Sequence, residues 1–244
     1  MSTPSPDAEI RAHGGRPVRF GWAQVALGLA LFAASARLGG PAWLLAWPAL
    51  AVFVVGLGYL GLGPRVFGKG PDGRIALGPA LVLLPYHVVA WLRVRWDALR
   101  HREAPWHEVA PGLFLGRIVP PEGLPPGTRV VVDLTCEFHV PAAMREGREV
   151  HPLPALDTSV PRYADFARLA TRLAPAPGPI YVHCAAGHGR SATFAAALLV
   201  ARGLATGADD AEAMLRRTRP SVRLHRAQRA MVDRYGRDRR ASPP

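Results

Sequence analysis

The sequence predicts an α/β domain with a central, mostly parallel sheet flanked by helices, preceded by an α-helical transmembrane region. Long apolar runs with few charges fill residues 20–92, whereas nearly all acidic residues follow Asp97. The 49% hydrophobic content is therefore not spread as in one globular core. From Val109 onward, short apolar stretches alternate with amphipathic ones, which indicates strands alternating with helices. We divide the chain into a disordered tail at 1–19, a membrane region at 20–107 and a folded domain at 108–244.

The membrane region begins with two apolar runs. Residues 1–19 are polar and rich in Pro, Gly and Ser, which predicts disorder. Residues 38–62 carry no charge over 25 residues and are long enough to cross a hydrocarbon core of about 30 Å, whereas residues 20–36 form a shorter apolar run of 17 residues. Gly39-Gly40-Pro41 predicts a tight turn between them. A cleaved signal peptide is the alternative for the first run, because arginines precede it and Ala34-Ser35-Ala36 resembles a cleavage site. The immediate start of a second run favours two spans.

A third apolar segment, residues 76–92, is harder to assign because it is at the lower limit of length and contains Pro79, Pro85 and His87. It could cross the membrane, re-enter it or lie shallowly. If only the first two runs cross, the flanking arginines share one side and only Arg37 faces the other. We therefore predict two full spans, a shallow third segment and a cytoplasmic C-terminal domain.

The net charge of +12 is almost wholly arginine, since Lys69 is the only lysine. That bias, with abundant Ala, Gly and Pro, is typical of a GC-rich genome, and we expect a multi-pass protein of a bacterial plasma membrane. Arginines beside a membrane attract anionic headgroups. Nucleic acid is disfavoured as a partner, because the arginines flank apolar spans and no aromatic-basic recognition motif accompanies them. Two cysteines, Cys136 and Cys184, are too few for a disulfide framework and favour a reactive thiol in a reducing compartment.

The folded domain shows strands and helices in alternation. Periodicity predicts strands at 113–115, 129–132, 149–153 and 180–182. Helices are predicted at 163–173, 191–202, 208–217 and 226–235.

The segment between the last strand and the next helix has the pattern of an anion site. The strand ends in His183-Cys184, and after five more residues Arg190-Ser191 opens a helix. Inward-facing backbone N–H groups and a helix N-terminus bind anions. A guanidinium can hold two phosphate oxygens, and the positive surroundings favour the thiolate, which is the nucleophilic form of cysteine. The expected phosphate cradle consists of Ala185, Ala186, Gly187, His188, Gly189 and Arg190.

Each of these residues also has an ordinary structural explanation. Cys184 could be an inert buried thiol, His183 a core histidine, and the glycines turn residues. The joint spacing behind a strand and before a helix favours the functional interpretation. A zinc site formed by His183, Cys184 and His188 is disfavoured, because Arg190 would repel a cation and no fourth ligand is evident. We expect no metal and no cofactor.

The segment VHCAAGHGRSA resembles the signature of the cysteine-based phosphatases, and within them the compact dual-specificity phosphatases. The stretch LFLGR…VVVDLTCE is similar to the opening strands of that family, so the resemblance covers about residues 108–235. It implies that Cys184 attacks phosphorus, that a phosphocysteine forms and that water hydrolyses it. It also implies that His183 tunes the thiolate and that Ser191 eases its release.

The resemblance further implies an acid that protonates the leaving oxygen, from a loop some thirty residues before the cysteine. Asp157 fits that position and is the predicted proton donor, although it could also be a turn residue or a helix N-cap. Asp165 lies on a predicted helix and is interpreted as a surface charge. Asp133 follows a strand and is interpreted as structural.

The substrate stays open at this level. Membrane spans and ten arginines between 216 and 240 favour a lipid phosphate, and the arrangement is similar to membrane-bound family members that act on phosphatidylglycerophosphate or phosphoinositides. Lipid-acting members often carry Lys or Arg in the loop, whereas this chain has Ala185, Ala186 and His188. A phosphoprotein substrate is therefore the rival, and a solvated helix face is the alternative for the arginines. A non-catalytic, membrane-tethered phosphate-binding scaffold is the alternative of another class.

Overall fold

The computed structural model describes residues 15–100, 103–176 and 178–241. The chain divides into two compact units. One, the apolar unit, consists of Gly15–Arg100 with Cys136–Val140, and the other, the sheet unit, contains His101–Thr135 and Pro141–Pro244.

The apolar unit begins with helix α1 (Gly15–Leu38), followed by a 3-10 turn (Gly40–Leu45) and helix α2 (Ala46–Leu57). A π turn (Gly58–Leu62) and a 3-10 turn (Gly63–Phe67) continue α2. Two stretches, Pro17–Leu38 and Gly40–Phe67, are long and apolar enough to cross a membrane, by length and composition. Helices α3 (Leu77–Val82) and α4 (Leu84–Arg100) cover the third apolar segment.

The prediction of disorder for residues 1–19 is wrong for residues 15–19, which are the first turns of α1. Pro17 lies near the start of the helix, where its missing N–H costs no hydrogen bond. Because helix formation is cooperative, the apolar run also extends helical structure into the polar residues before it. Residues 1–14 lie outside the described part.

Small residues lie between α1 and α2. A Cβ on Gly56 would lie 2.9 Å from the carbonyl oxygen of Gly21, and one on Gly28 would lie 2.9 Å from that of Ala49. Large apolar side chains point outward instead, and Trp22 and Leu29 are 62% and 58% exposed. Close backbone approach of small residues is how helices associate in lipid.

The sheet unit contains five strands in the order β1-β2-β5-β3-β4. They are β1 (Trp106–Ala110), β2 (Leu113–Arg117), β3 (Val130–Thr135), β4 (Glu149–Ala155) and β5 (Ile180–Cys184). Strand β1 is antiparallel to β2, and the other three pairings are parallel. The carboxyl ends of β2, β3, β4 and β5 therefore share one edge, which is where open α/β sheets bind ligands. Since β1 begins at Trp106, the sheet starts before residue 108.

Four helices complete the sheet unit: α5 (Tyr163–Leu173), α6 (Arg190–Ala201), α7 (Ala208–Thr218) and α8 (Arg226–Ala241). Helix α6 is buried from Arg190 to Leu199 and packs on β5 and on the other three helices. Its alanines allow close approach, and Phe194 meets Phe166 of α5 edge to face at 5.5 Å. Helix α5 has the predicted bounds, and the other predicted helices and strands begin within one residue of the expected position. Helix α8 ends at Ala241, six residues later than predicted, and β1 was not predicted. The predicted α/β class is confirmed.

Candidate active site

The predicted cradle lies at the centre of the carboxyl edge of the sheet. Cys184 is the last residue of β5, which runs between β2 and β3, and Arg190 is the first residue of α6. Residues 185–189 turn between them. The loop therefore precedes a buried 12-residue helix, whose N-terminal N–H groups favour an anion.

The sulfur of Cys184 lies in the loop among hydrogen-bond donors. The side chain is 3% exposed, and the Gly187 backbone N–H donates to Sγ at 3.2 Å. The Ser191 hydroxyl lies 3.2 Å from the same sulfur. Since a thiolate can only accept, the hydroxyl would donate to the ionised form. The sulfur thus occupies a polar cup that suits a thiolate.

The loop carbonyls are bonded to neighbouring segments. The Ala185 carbonyl accepts from the Ile118 N–H at 3.4 Å, and the His188 carbonyl accepts from the Arg223 N–H at 3.2 Å. Gly187 has φ +82°, and a Cβ there would lie 2.5 Å from the carbonyl carbon of Gly116. Only glycine fits this position, both by conformation and by space.

Arg190 connects the cradle to residues 156–162, the loop between β4 and α5 that contains Asp157. We call this segment the acid loop. The Arg190 guanidinium is buried, and Nη1 donates to the Ala155 carbonyl at 3.0 Å, where β4 ends. Its Nε lies 3.7 Å from Oδ1 of Asp157, whose side chain is 55% exposed. The structure therefore brings Asp157 next to Arg190, which closes the loop that begins at Cys184.

The two other candidate carboxylates have local partners. Asp165 pairs with Arg168 at 2.6 Å and lies 3.8 Å from Arg162 on the exposed side of α5. Oδ1 of Asp133 accepts from the backbone N–H and the hydroxyl of Thr135 at 2.8 and 2.7 Å, closing the end of β3. Both contacts agree with the interpretation of Asp165 as a surface charge and of Asp133 as structural.

His183 is buried below the loop and stacks on Tyr181, with ring centroids 5.4 Å apart. Its Nε2 lies 3.9 Å from Oδ1 of Asp133. Burial raises the pKa of Tyr181 far above its ordinary value, so the neutral phenol donates its hydrogen bond to the Arg117 carbonyl. These contacts fix the orientation of the His183 ring next to Cys184 in the sequence.

Three residues at the site were missed by sequence reasoning. Gln228 of α8 is fully buried, donates to the Ser159 carbonyl at 3.3 Å in the acid loop, and lies beside Gly189. A polar side chain on the apolar face of a helix was the signal that could have found it. Glu103 and Arg219 reach the loop through His188, at 2.5 and 3.5 Å from its Nε2. No local pattern marks a pair separated by 116 residues.

The residues 15–100, 103–176 and 178–241 contain no group of three or more His, Cys, Asp or Glu side chains placed to hold a metal ion. The arrangement offers the Cys184 sulfur, a turn of backbone N–H groups at a helix N-terminus, the buried Arg190 guanidinium and the Asp157 carboxyl group. Together these groups can accept a phosphate monoester and transfer its phosphoryl group to sulfur.

The match to a family model agrees with this chemistry, and solved structures show the fold to which the domain is similar. Residues 126–237 match the family model PTP-SAK, described as Swiss Army Knife protein, DSP-PTPase phosphatase domain. Among solved structures, PTPMT1 is 21% identical at a TM-score of 0.49, over 56% of this chain and 96% of that one. Human DUSP28 is 24% identical at a TM-score of 0.46, over 55% and 97%. PTPMT1 has also been solved in complex with PI(5)P. No curated protein matches the chain in sequence.

Proposed function

The chain carries a cysteine-based phosphatase domain of the dual-specificity type, and we propose that Cys184 is its nucleophile. The observation that supports this is the placing of Sγ against the Gly187 N–H and the Ser191 hydroxyl, at the N-terminus of a buried helix. The cradle of residues 185–190 holds the phosphate oxygens, and Arg190 stabilises the charge that develops on them.

The proposed reaction has two steps. The Cys184 thiolate attacks phosphorus, the S–P bond forms, and the P–O bond breaks while Asp157 gives its proton to the leaving oxygen. Water then attacks phosphorus and gives a proton to the Asp157 carboxylate, and the S–P bond breaks. The Ser191 hydroxyl donates to the departing thiolate, and His183 tunes the thiolate.

For the substrate we favour a phosphate monoester on a membrane lipid. The apolar unit supports this, because it presents large apolar side chains outward and packs through small residues. Arg95 lies over the Trp91 ring at 5.0 Å and Arg100 over Trp96 at 5.5 Å, and such pairs suit a membrane interface. The chain is then a membrane protein with two spans, a shallow α3–α4 segment and a cytoplasmic phosphatase domain.

A phosphoprotein substrate is the second candidate, and the loop composition favours it. Ala185 and Ala186 provide no cation for a headgroup with several charges. The arginines near the C-terminus are also partly engaged within the fold. Arg229 pairs with Asp209 and Glu212, and Arg234 lies over the Tyr163 ring at 4.8 Å.

One experiment separates these functions. The full chain is purified in detergent, and phosphate release is measured from phosphatidylglycerophosphate, a phosphoinositide and a phosphotyrosine peptide. We expect release from a lipid, its loss in Cys184→Ser, and its retention in the matched control Cys136→Ser. Release from the peptide alone would remove the lipid proposal, and turnover by Cys184→Ser would remove the nucleophile assignment.

The topology has a separate test. A reporter active only in the cytoplasm is fused after Pro244 of the full chain. We expect it to be active. A reporter that is active only outside would mean that α3 and α4 complete a third crossing.

A further inference from the structure

A cluster of charged side chains flanks the phosphate cradle on the side of His188. Oε2 of Glu103 lies 2.5 Å from Nε2 of His188 and accepts from Nη2 of Arg219 at 2.9 Å. Because an ionised carboxylate only accepts, Nε2 of His188 carries the shared proton. Oε2 of Glu103 therefore connects His188 of the phosphate cradle to Arg219, which follows α7.

The side chain of Arg219 is itself held in place by burial and by hydrogen bonds. Its side chain is 1% exposed, and Nη1 donates to the Ala104 carbonyl and to Nδ1 of His107, both at 3.1 Å. Burial lowers the pKa of Arg219, while the Glu103 carboxylate opposes that change. A guanidinium so enclosed requires a paired anion, and Glu103 is that anion.

The turn at residues 187–189 needs a contact such as that between Glu103 and His188 to hold a single conformation. His188 stands between Gly187 and Gly189, and glycines leave the backbone more conformations than any other residue. An anion cradle is effective when its amides are already turned inward before the anion arrives. The side chain of His188 is held by Glu103, and its carbonyl by the Arg223 N–H at 3.2 Å. The turn is thus restrained at the side chain and at the backbone.

We propose that Glu103 is a positioning residue, whose contact with His188 holds the 187–189 turn in its phosphate-binding form. This inference rests on the proposed function, because it assumes that the Cys184 loop is the site of turnover. Glu103 precedes residues 126–237, which match the family model. The segment before the family domain therefore completes the active site.

The test uses the full chain in detergent and two readouts. Binding of inorganic phosphate is measured by calorimetry in the Cys184→Ser background, which needs no turnover, and kcat/KM is measured on 4-nitrophenyl phosphate with Cys184 intact. We expect Glu103→Gln and His188→Ala each to weaken phosphate binding and to lower kcat/KM about tenfold, the order of one charge-assisted hydrogen bond. The exposed control Glu122→Gln should change neither.

A double-mutant cycle distinguishes positioning from general support of the fold. If Glu103 acts through His188, the double variant is no worse than either single variant, whereas independent effects would multiply to about a hundredfold. Unchanged phosphate binding in Glu103→Gln, or multiplied effects in the cycle, would overturn the inference. If Glu103→Gln fails to fold because Arg219 loses its anion, His188→Ala decides alone, since it leaves that ion pair intact. Turnover by Cys184→Ser would instead refute the proposed function.

Discussion

The two units of the chain use the same residue types in opposite ways. In the sheet unit, large apolar side chains such as Phe194 and Leu198 are fully buried. In the apolar unit, Ala51 and Val55 are fully buried while Trp22 and Leu44 are 62% and 80% exposed. The sheet unit buries its large apolar surface away from water, whereas the apolar unit leaves many of its large apolar side chains exposed, as the proposed contact with lipid requires.

The buried polar groups differ in the same sense. The sheet unit encloses the guanidiniums of Arg190 and Arg219 and gives them carbonyl and carboxylate partners. Around the α1–α2 contact of the apolar unit, buried Ser35 donates to the Phe32 carbonyl of its own helix at 2.8 Å. The enclosed charges of the sheet unit thus have partners far away in the sequence, whereas the buried hydroxyl of α1 is satisfied within its own helix, as the proposed membrane span requires.

Replacing Arg190, the buried guanidinium of the phosphate cradle, should have the largest effect on activity. Arg190→Lys keeps the charge but loses the planar fork and the bond to the Ala155 carbonyl. We expect kcat/KM on an aryl phosphate to fall on the order of a thousandfold. The control Arg226→Lys lies on the exposed face of α8 and should be unchanged. A rate within tenfold of the parent would contradict a phosphate-binding role for Arg190.

The acid loop should give the next largest effect. Asp157→Asn removes the proposed proton donor, and we expect a loss of about a hundredfold on alkyl phosphates. The loss should be smaller on 4-nitrophenyl phosphate, because its leaving group needs little protonation. Steady-state kinetics with both substrates measures the difference. Asp165→Asn is the matched control, and equal losses from both variants would refute the assignment.

In the apolar unit, a glycine substitution should affect packing. A Cβ on Gly56 would lie 2.8 Å from Val25 Cγ2, so Gly56→Leu should separate α1 from α2. We expect a loss of about 2 kcal/mol in unfolding free energy, measured by denaturant titration in detergent. Gly78→Leu is the control, because nothing lies within 4 Å of a Cβ at that position. Equal losses would mean that the close approach of the two helices does not matter.

The smallest expected effect is a pH dependence of the sheet unit. Burial, with nearby Arg219 and Arg172 respectively, lowers the pKa of His107 and His151 below 6.5. The folded chain then binds fewer protons than the unfolded chain just below pH 6.5, so this stability is full above about pH 6.5 and is lost as the pH falls. The Tm measured at pH 7.5 and 5.5 should differ less in a His107→Gln, His151→Gln variant. An identical difference in parent and variant would refute this origin.

Local sequence predicted the elements whose pattern is local. Residues 163–173 show helical periodicity, and the spacing from Cys184 to Arg190 can be recognised within one short segment of the sequence. Strand β1 was missed because it is a short edge strand that is half-exposed and lacks an apolar run. Its Trp106 donates to the Gly123 carbonyl at 2.9 Å and packs on Phe114, so it belongs to the sheet unit.

The remaining site residues depend on tertiary contacts. Glu103 is an ordinary charged residue in the sequence, and only the fold brings it to His188. Arg219 was counted among ten arginines of a basic stretch, yet it is 1% exposed. Composition predicts how many charges a segment carries, and packing decides which of them reach the solvent.

Through its hydrogen bond to the Ala155 carbonyl, the Arg190 guanidinium connects the phosphate cradle to the start of the acid loop. Ala155 ends β4, and the proposed proton donor follows two residues later. Under the proposed mechanism, a shift of the acid loop changes how Arg190 binds phosphate, and bound phosphate stabilises the position of the acid loop. Substrate capture and leaving-group protonation are then mechanically linked, so acid-loop variants should weaken oxyanion inhibitors as well as slow turnover.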